Sequence, residues 1–275
     1  MEVPSMFREE APNATIPGRN LPTAVPVSVD VGPSVRLGGP ADYGTHAIVK
    51  RIGKIDEQVS LQGMRLLDIG CGNGSYTLEL SRRAKWVCAL DILEANLRAF
   101  REPISRVQGV GESLPFATAS FDAITMIEVL EHTESDINVL HECFRVLRPG
   151  GLLILFVPNK LYPFESHPCH CGNLSLGPNV PFVSWLPAGI RRHLCYARIY
   201  TRRQLLSMAR SAGFEALHSS YMFPPLDGFP LPWRIKEMYR RYSKRLESTA
   251  LSIFGVSLFV ILQKPDSVSK QKGSA

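Results

Sequence analysis

One stretch of the sequence decides the fold, residues 66–74: Leu66-Leu67-Asp68-Ile69-Gly70-Cys71-Gly72-Asn73-Gly74. A short apolar run ends in a turn with glycines at alternate positions, and a helical pattern follows it to residue 83. Glycines let the backbone turn tightly and approach a ligand without Cβ atoms in the way. The first N–H groups of a helix have no partner within the helix. The stretch therefore predicts a strand, a turn and a helix that bind a dinucleotide or an adenosyl cofactor.

Apolar runs alternate with helical patterns on both sides of this stretch. Strands are predicted at Met64–Ile69, Trp86–Leu90, Ile104–Gln108, Phe121–Ile127 and Gly151–Val157. Helices are predicted at Gly74–Arg83 and Leu93–Arg101. A third helix is predicted from apolar residues at helical spacing, Ile137, Leu140, Phe144 and Leu147. Strands that alternate with helices at this spacing predict an α/β protein, doubly wound, with a parallel sheet and helices on both faces.

The chain is predicted to hold one main domain, residues 41–265, between two irregular ends. Residues 1–40 contain seven prolines and form an irregular N-terminal arm, while residues 266–275 form a polar, flexible tail. Residues 158–200 are rich in Pro, Gly, His and Cys and interrupt the alternation, and an insertion of this length is typical of a functional lid or of a disordered segment.

Regular structure is predicted to resume at residue 201. Thr201-x-x-Gln204 is a capping box, and Gly213 is a plausible end of the helix that follows. Two further strands are expected at 215–221 and 256–263, with a helix between them.

The next strand ends at Asp91, 19 residues after Gly72. A carboxylate at that place can accept hydrogen bonds from two ribose hydroxyls. A dinucleotide site needs a third glycine at position 75, where this chain has Ser75. The spacing therefore disfavours an NAD-dependent oxidoreductase.

The pattern Asp-x-Gly-x-Gly-x-Gly resembles motif I of the class I S-adenosylmethionine-dependent methyltransferases. Asp91 matches the ribose-binding acid of that family, and the segments 111–122, 143–151 and 200–214 resemble its later motifs in the same order. The resemblance implies a mixed seven-stranded sheet, mostly parallel with an antiparallel last strand, and S-adenosyl-L-methionine as methyl donor. The residues it implies for cofactor binding are Asp68, Gly70, Gly72, Gly74, Asp91, Gly111 and Glu112.

The sequence departs from the family at Val110, where many relatives carry an acid near the adenine amino group. Either the backbone of Gly111 and Glu112 or the side chain of Glu112 must then recognise the adenine.

The residues nearest the transferred methyl group are expected at the end of the fourth strand. Glu128-x-x-Glu131-His132 places three potential ligands at i, i+3 and i+4 on one helical face, and His167 follows in the insertion. This set resembles the metal-assisted O-methyltransferases of the ubiquinone pathway and of RNA 3′ ends. That resemblance implies a divalent metal held by Glu128, Glu131, His132 and His167, with Glu128 and His167 as catalytic candidates. The alternative is a motif that only caps the junction between strand and helix.

A second cluster, His167-x-Cys169-His170-Cys171 with His193-x-Cys195, has residue types that suit zinc. Its Cys-x-Cys spacing is tighter than the usual structural pattern, so the alternative is a lid with free thiols. Six cysteines in 275 residues do not form a disulfide framework, and no signal segment opens the chain. We expect a cytoplasmic protein.

The formal net charge is +6, and two basic segments contribute to it. Residues 232–247 form a basic amphipathic helix with six Lys or Arg and two Glu, and its apolar face contains Ile235, Met238, Tyr239, Tyr242 and Leu246. It is either an ordinary surface helix packed on the sheet or a peripheral contact with an anionic membrane. The other segment, which could face an anionic acceptor, contains Arg191, Arg192, Arg198, Arg202 and Arg203.

These patterns predict a methyltransferase that acts on a small, hydrophobic acceptor molecule, with O-methylation favoured over C-methylation. An RNA-directed 2′-O-methyltransferase is the first alternative, and nucleic acid is not an expected partner because the chain has no appended RNA-binding module. A cofactor-binding protein without turnover is the second alternative.

Overall fold

The computed structural model describes residues 44–99, 101–171, 174–224 and 232–266. The predicted arm at residues 1–40 and nearly all of the predicted tail lie outside the described residues. Five strands come first along the chain: β1 (Arg65–Ile69), β2 (Trp86–Asp91), β3 (Ser105–Gln108), β4 (Phe121–Ile127) and β5 (Leu147–Pro158). Four short strands follow in the insertion: β6 (Phe164–Glu165), β7 (Cys169–Cys171), β8 (Leu174–Leu176) and β9 (Val180–Pro181). The last two strands are β10 (Glu215–Met222) and β11 (Ser257–Gln263).

Seven of these strands form one sheet in the order β10-β11-β5-β4-β1-β2-β3. Strands β1 to β5 run parallel to one another, and β11 is antiparallel to both of its neighbours, β5 and β10. The mixed, mostly parallel sheet predicted from the sequence is therefore confirmed. The order reverses beside β1, and ligands of such sheets bind outside the carboxyl ends of the strands at that point.

Seven α-helices surround this sheet among the described residues: α1 (Gly44–Gln58), α2 (Ser75–Ser81), α3 (Glu94–Leu97), α4 (Asp136–Val146), α5 (Ala188–Leu194), α6 (Arg202–Ser211) and α7 (Trp233–Glu247). The side chains of each strand alternate between two cores. Leu67 packs with residues of α4 and α6, whereas Leu66 packs with residues of α1 and α2. None of the described helices combines the length and the apolar character that a bilayer crossing requires.

The capping box at the start of α6 is confirmed. The Thr201 hydroxyl accepts from the Gln204 backbone N–H, and the Gln204 side chain accepts from the Thr201 backbone. Gly213, just beyond the helix, has φ +97°, and a Cβ there would lie 2.9 Å from the Phe144 ring. Both the backbone conformation and the close packing therefore require glycine.

Two predicted helices differ from the observed ones. Helix α3 covers only Glu94–Leu97 instead of Leu93–Arg101, and the Leu97 carbonyl accepts from the Arg106 guanidinium of β3 at 3.2 Å. Helix α4 buries Val139, Leu140, Cys143 and Val146, so its core face is rotated from the predicted one and Ile137 is exposed.

The insertion at 158–200 is more regular than expected. Strand β6 pairs with β9, β7 pairs with β8, and α5 follows. Cys169 and Cys195 form a disulfide with their Cα atoms 4.7 Å apart. The expectation of free thiols is therefore wrong for this pair. The zinc alternative also loses two of its ligands, because these two sulfurs bond each other.

Candidate functional site

The glycine turn after β1 has the backbone that its sequence predicts. Gly70, Gly72 and Gly74 have φ of +72°, +52° and +80°, a region that other residues rarely adopt. A Cβ on Gly70 would lie 2.4 Å from the Val129 side chain. The turn therefore lies directly against the end of β4, where the acceptor residues were predicted.

Asp68 lies behind the turn and is almost fully buried. Its carboxylate accepts from the Thr77 hydroxyl at 2.6 Å and from the Thr125 hydroxyl at 2.7 Å. Burial raises the pKa of Asp68 to about 6, against the lowering effect of the two threonines. These bonds connect β1 to α2 and β4, so the structure gives Asp68 the role of holding the turn, and its contact with the cofactor stays a prediction.

Asp91 ends β2 beside the same turn. One carboxylate oxygen accepts from the Gly72 N–H at 2.9 Å, and the other accepts from the Leu93 N–H at 2.9 Å and from the Asn96 amide at 3.0 Å. A carboxylate has about four acceptor positions, so three are occupied by the protein itself. One acceptor position remains in the present arrangement, and the prediction that Asp91 receives two ribose hydroxyls stays a prediction.

The adenine-side loop is fixed by its own contacts. Gly111 packs against α4, since a Cβ there would lie 3.2 Å from Val139. The Glu112 carboxylate accepts from the Glu134 N–H at 2.7 Å. Because that side chain already holds the loop before α4, the geometry favours backbone groups for adenine recognition.

Glu128, directly after β4, has a left-handed backbone with φ +56°. Its carboxylate accepts from the Arg51 guanidinium at 2.9 Å and from the Ser257 hydroxyl at 2.6 Å. Burial alone would raise the pKa of Glu128, but these two partners bring it below its ordinary value. Sequence reasoning missed Arg51 and Ser257, which are distant in sequence and belong to no motif. Strained non-glycine residues of this kind concentrate at functional sites.

Three of the four predicted metal ligands lie together. Glu131, His132 and His167 each offer one ligand atom, and these atoms all lie within 4.8 Å of one another. Glu131 is fully buried, and neither of its carboxylate oxygens accepts a hydrogen bond from the described residues. Burial and the nearby charge of Glu128 raise the pKa of Glu131 well above its usual range. Buried polar atoms are nearly always satisfied, so this pair of orphaned oxygens fits a cation.

Glu128 is not part of this cluster. The prediction that residues 128–132 share one helical face is wrong, because Glu128 has a left-handed backbone and only Leu130–His132 form a 3-10 turn. Oε1 of Glu128 accepts from Arg51 and Ser257 instead, and the Glu128 carboxylate stays close enough to Glu131 to raise the pKa of that residue.

A buried ion pair lies beside Nδ1 of His167. Glu165 accepts from the Arg191 guanidinium at 2.7 and 2.9 Å, and its other oxygen lies 3.4 Å from Nδ1 of His167. A carboxylate behind a histidine is the usual arrangement for orienting a metal ligand. Nε2 of His167 lies 3.8 Å from Glu131 and can serve as the ligand atom.

Arg198 fixes the turn that carries Glu131 and His132. Its backbone N–H donates to the Glu131 carbonyl at 3.1 Å, and its guanidinium donates to the Leu130 carbonyl at 3.0 Å. The prediction that the segment containing Arg191 and Arg198 faces an anionic acceptor is therefore wrong for these two residues, because Arg191 pairs with Glu165 of the insertion and Arg198 binds the turn at Leu130.

Comparisons with known proteins agree with this fold. Residues 67–155 match a family model described as a methyltransferase domain. A solved S-adenosylmethionine-dependent methyltransferase from Mesorhizobium loti superimposes with a TM-score of 0.53, at 18% identity, over 77% of this chain and 96% of that one. Residues 67–155 thus match a methyltransferase domain, and the chain shares its fold with S-adenosylmethionine-dependent methyltransferases of known structure.

Curated proteins that this chain resembles are named ubiquinone biosynthesis O-methyltransferase. One from Xanthomonas oryzae is 33% identical over 118 residues, which are 40% of this chain and 49% of that protein. Another, from Ruegeria pomeroyi, is 28% identical over 202 residues, 67% of this chain and 74% of that protein. The chain spans about half the length of the first of these relatives.

Proposed function

We propose that the chain transfers a methyl group from S-adenosylmethionine to an oxygen of a small, hydrophobic acceptor that is bound through a divalent metal. The observation that carries this proposal is the contact of the glycine turn with Val129, which lies between Glu128 and Glu131. The turn suited to the cofactor and the cluster suited to the metal are thus neighbours.

The cofactor side rests on the family match and on the turn. Gly70, Gly72 and Gly74 allow the backbone to approach the methionine part of the ligand, and Asp91 retains an acceptor position for a ribose hydroxyl. The relatives' printed names favour oxygen as the methylated atom.

The acceptor side rests on Glu131, His132 and His167. A carboxylate and two imidazoles suit zinc, iron, manganese or magnesium, so ligand type alone does not select the ion. A divalent ion held there would lower the pKa of an acceptor hydroxyl and orient its oxygen. The ligand atoms must move closer by less than 1 Å to share an ion at the usual distance of about 2.0–2.2 Å.

The residues of the chain itself have separable roles in this scheme. Methyl transfer from a sulfonium is an in-line displacement, which demands alignment and exclusion of water. The methyl leaves sulfur for oxygen, and the hydroxyl proton is released. Glu128 has a lowered pKa and is a weak base. Its negative charge is better suited to attract the cationic cofactor than to accept that proton.

The test combines metal analysis with a search for the acceptor. The purified full chain is incubated with labelled S-adenosylmethionine and a lipid extract, and the labelled product is identified by mass spectrometry. We expect an O-methylated product, loss of activity in chelator, and recovery with an added divalent ion.

Metal binding is measured separately by elemental analysis. His132→Ala and His167→Ala should lose the metal and lower turnover far more than cofactor affinity. His141→Ala is the matched control, because His141 lies exposed on α4 and outside the cluster. Full activity in chelator together with a metal-free protein would refute the metal part. Calorimetry that detects NAD binding and no S-adenosylmethionine binding would refute the methyltransferase part.

A further inference from the structure

The C-terminal part of the chain exposes an unusual amount of apolar surface. In α7 the side chains of Ile235, Met238 and Tyr242 form an exposed stripe, and Met238 is 57% exposed. The 3-10 helix Ala250–Phe254, which packs beside α7, exposes Leu251, Ile253 and Phe254. We call these six residues the apolar stripe. Trp233 begins α7 and is 71% exposed.

The packing of α7 explains why this stripe faces outward. Ser243 is buried, Tyr239 donates its hydroxyl to the Pro224 carbonyl at 2.8 Å, and Glu247 pairs with two lysines of α1 at 2.7 and 2.8 Å. The predicted single apolar face is therefore divided. Tyr239 and Leu246 turn towards the protein, and Ile235, Met238 and Tyr242 are left without cover among the described residues.

Basic side chains line one edge of the stripe. Arg234, Arg241 and Arg245 are exposed and lie at i, i+7 and i+11, on the face of α7 next to the stripe. The Arg234 guanidinium lies 5.7 Å from the Trp233 ring, and that of Arg245 lies 5.8 Å from the Tyr242 ring. None of these three arginines forms an ion pair with a carboxylate within the described ranges. The surface thus combines apolar and aromatic groups with uncompensated positive charge.

The stripe adjoins the acceptor end of the site. The Asn159 amide, directly after β5, donates to the Ile253 carbonyl at 2.8 Å and to the Gly255 carbonyl at 2.7 Å. Two residues further on, Ser257 donates to Glu128. Any partner or surface that binds the apolar stripe would therefore lie beside the acceptor end of the sheet.

We propose that α7 and the 3-10 helix Ala250–Phe254 form a docking surface for an anionic lipid bilayer. Apolar side chains of an interfacial helix enter the boundary between headgroups and acyl chains, and its basic side chains attract anionic headgroups. An exposed tryptophan prefers the same depth. A nucleic acid would use the arginines but would leave Ile235, Met238 and Leu251 in water, so the charge and the apolar area together select the bilayer.

The first test measures sedimentation of the full chain with phosphatidylcholine vesicles, with and without phosphatidylglycerol. We expect binding to the anionic vesicles only, a blue shift of tryptophan fluorescence on binding, and loss of that shift in Trp233→Phe. Met238→Glu should abolish sedimentation. Leu217→Glu is the matched control. Leu217 is equally exposed at 57%, but it lies near the start of β10, whereas the end of β10 at Met222 pairs with Ser257. The Leu217→Glu variant should bind vesicles as the native chain does.

The second test removes charge. Each basic residue near an anionic surface contributes about 1 kcal/mol, or about fivefold, to binding. The triple change of Arg234, Arg241 and Arg245 to Gln should therefore weaken vesicle binding about a hundred-fold. The same change in three exposed arginines of α6, Arg202, Arg203 and Arg210, removes equal charge from the other face and should have a much smaller effect.

Several results would overturn the proposal. Equal binding to neutral and anionic vesicles, no binding to either, or equal losses in the two triple variants would each do so. Binding to a single-stranded RNA that Met238→Glu leaves intact would assign the arginines to nucleic acid instead. A dimer of the native chain that Met238→Glu converts to a monomer would assign the stripe to a second copy. Vesicle binding and methyl transfer are measured separately, so either can fail alone.

Discussion

Replacement of Arg51 by Met tests whether the buried pair with Glu128 holds the end of β4. The Arg51 and Glu128 side chains are only 4% and 5% exposed, and the guanidinium also donates to the Tyr76 hydroxyl at 3.0 Å. Removal of one partner from a buried ion pair costs about 3–5 kcal/mol, because the other charge stays buried. Ser257 continues to donate to Glu128 in the variant. We therefore expect the free energy of unfolding to fall by about 3 kcal/mol, measured by urea unfolding followed by circular dichroism at neutral pH.

The control is Arg82→Met, which removes an exposed partner of Glu79 on α2. Exposed pairs contribute about 0–1 kcal/mol, so this variant should unfold almost as the native chain does. The double variant Arg51→Met, Glu128→Gln should recover a large part of the loss, since no uncompensated charge remains. A loss in Arg51→Met no larger than in Arg82→Met would refute this reasoning, and so would strict additivity in the double variant.

Three further predictions concern the cofactor, the insertion and its disulfide. Asp91→Asn should weaken S-adenosylmethionine binding about tenfold or more in calorimetry, because a hydrogen bond to a charged group is worth about 1.5–3 kcal/mol; unchanged affinity would remove Asp91 from the ribose site. Limited proteolysis should cut residues 158–200 of the free protein and cut them more slowly with cofactor and acceptor bound, and equal rates would argue against a lid. Cys195→Ser opens a cross-link over 26 residues and should cost about 3–4 kcal/mol of unfolding free energy on the chain-entropy account; reductant should lower the native chain to the same value and leave the variant unchanged.

The sheet could be predicted from the sequence because its strands are short apolar runs between clear breaks. The bounds of β4 agree with the prediction at both ends, and β2 differs by one residue. Helix α3 could not be bounded in this way. The Arg106 side chain of β3 donates to the Leu97 carbonyl at the end of this helix. Local periodicity contains no information about such a contact.

The candidate site shows the same contrast between features visible in the local sequence and contacts between distant residues. The glycine turn and Asp91 could be predicted because both lie in a local motif whose backbone demands are visible in the sequence. The contacts of Arg51 with Glu128 and of Arg191 with Glu165 join residues 77 and 26 positions apart. No spacing rule identifies these partners, since they meet only when the sheet and the insertion have folded. The disulfide between Cys169 and Cys195 has the same origin.

Glu128 and Glu131 have different partners, and the cost of burying charge explains why. On a regular helical turn, side chains at i and i+3 would share one face, and two buried carboxylates would compete for the same donors. Glu128 instead has a left-handed backbone, its Oε1 accepts from Arg51 and Ser257, and the nearby Glu131 carboxylate lies beside two histidines. Such backbone strain costs about 1–3 kcal/mol, less than the several kcal/mol that each unpaired buried ion costs. The motif therefore specifies the residue types, and the long-range contacts of Glu128 with Arg51 and Ser257 distinguish the two carboxylates.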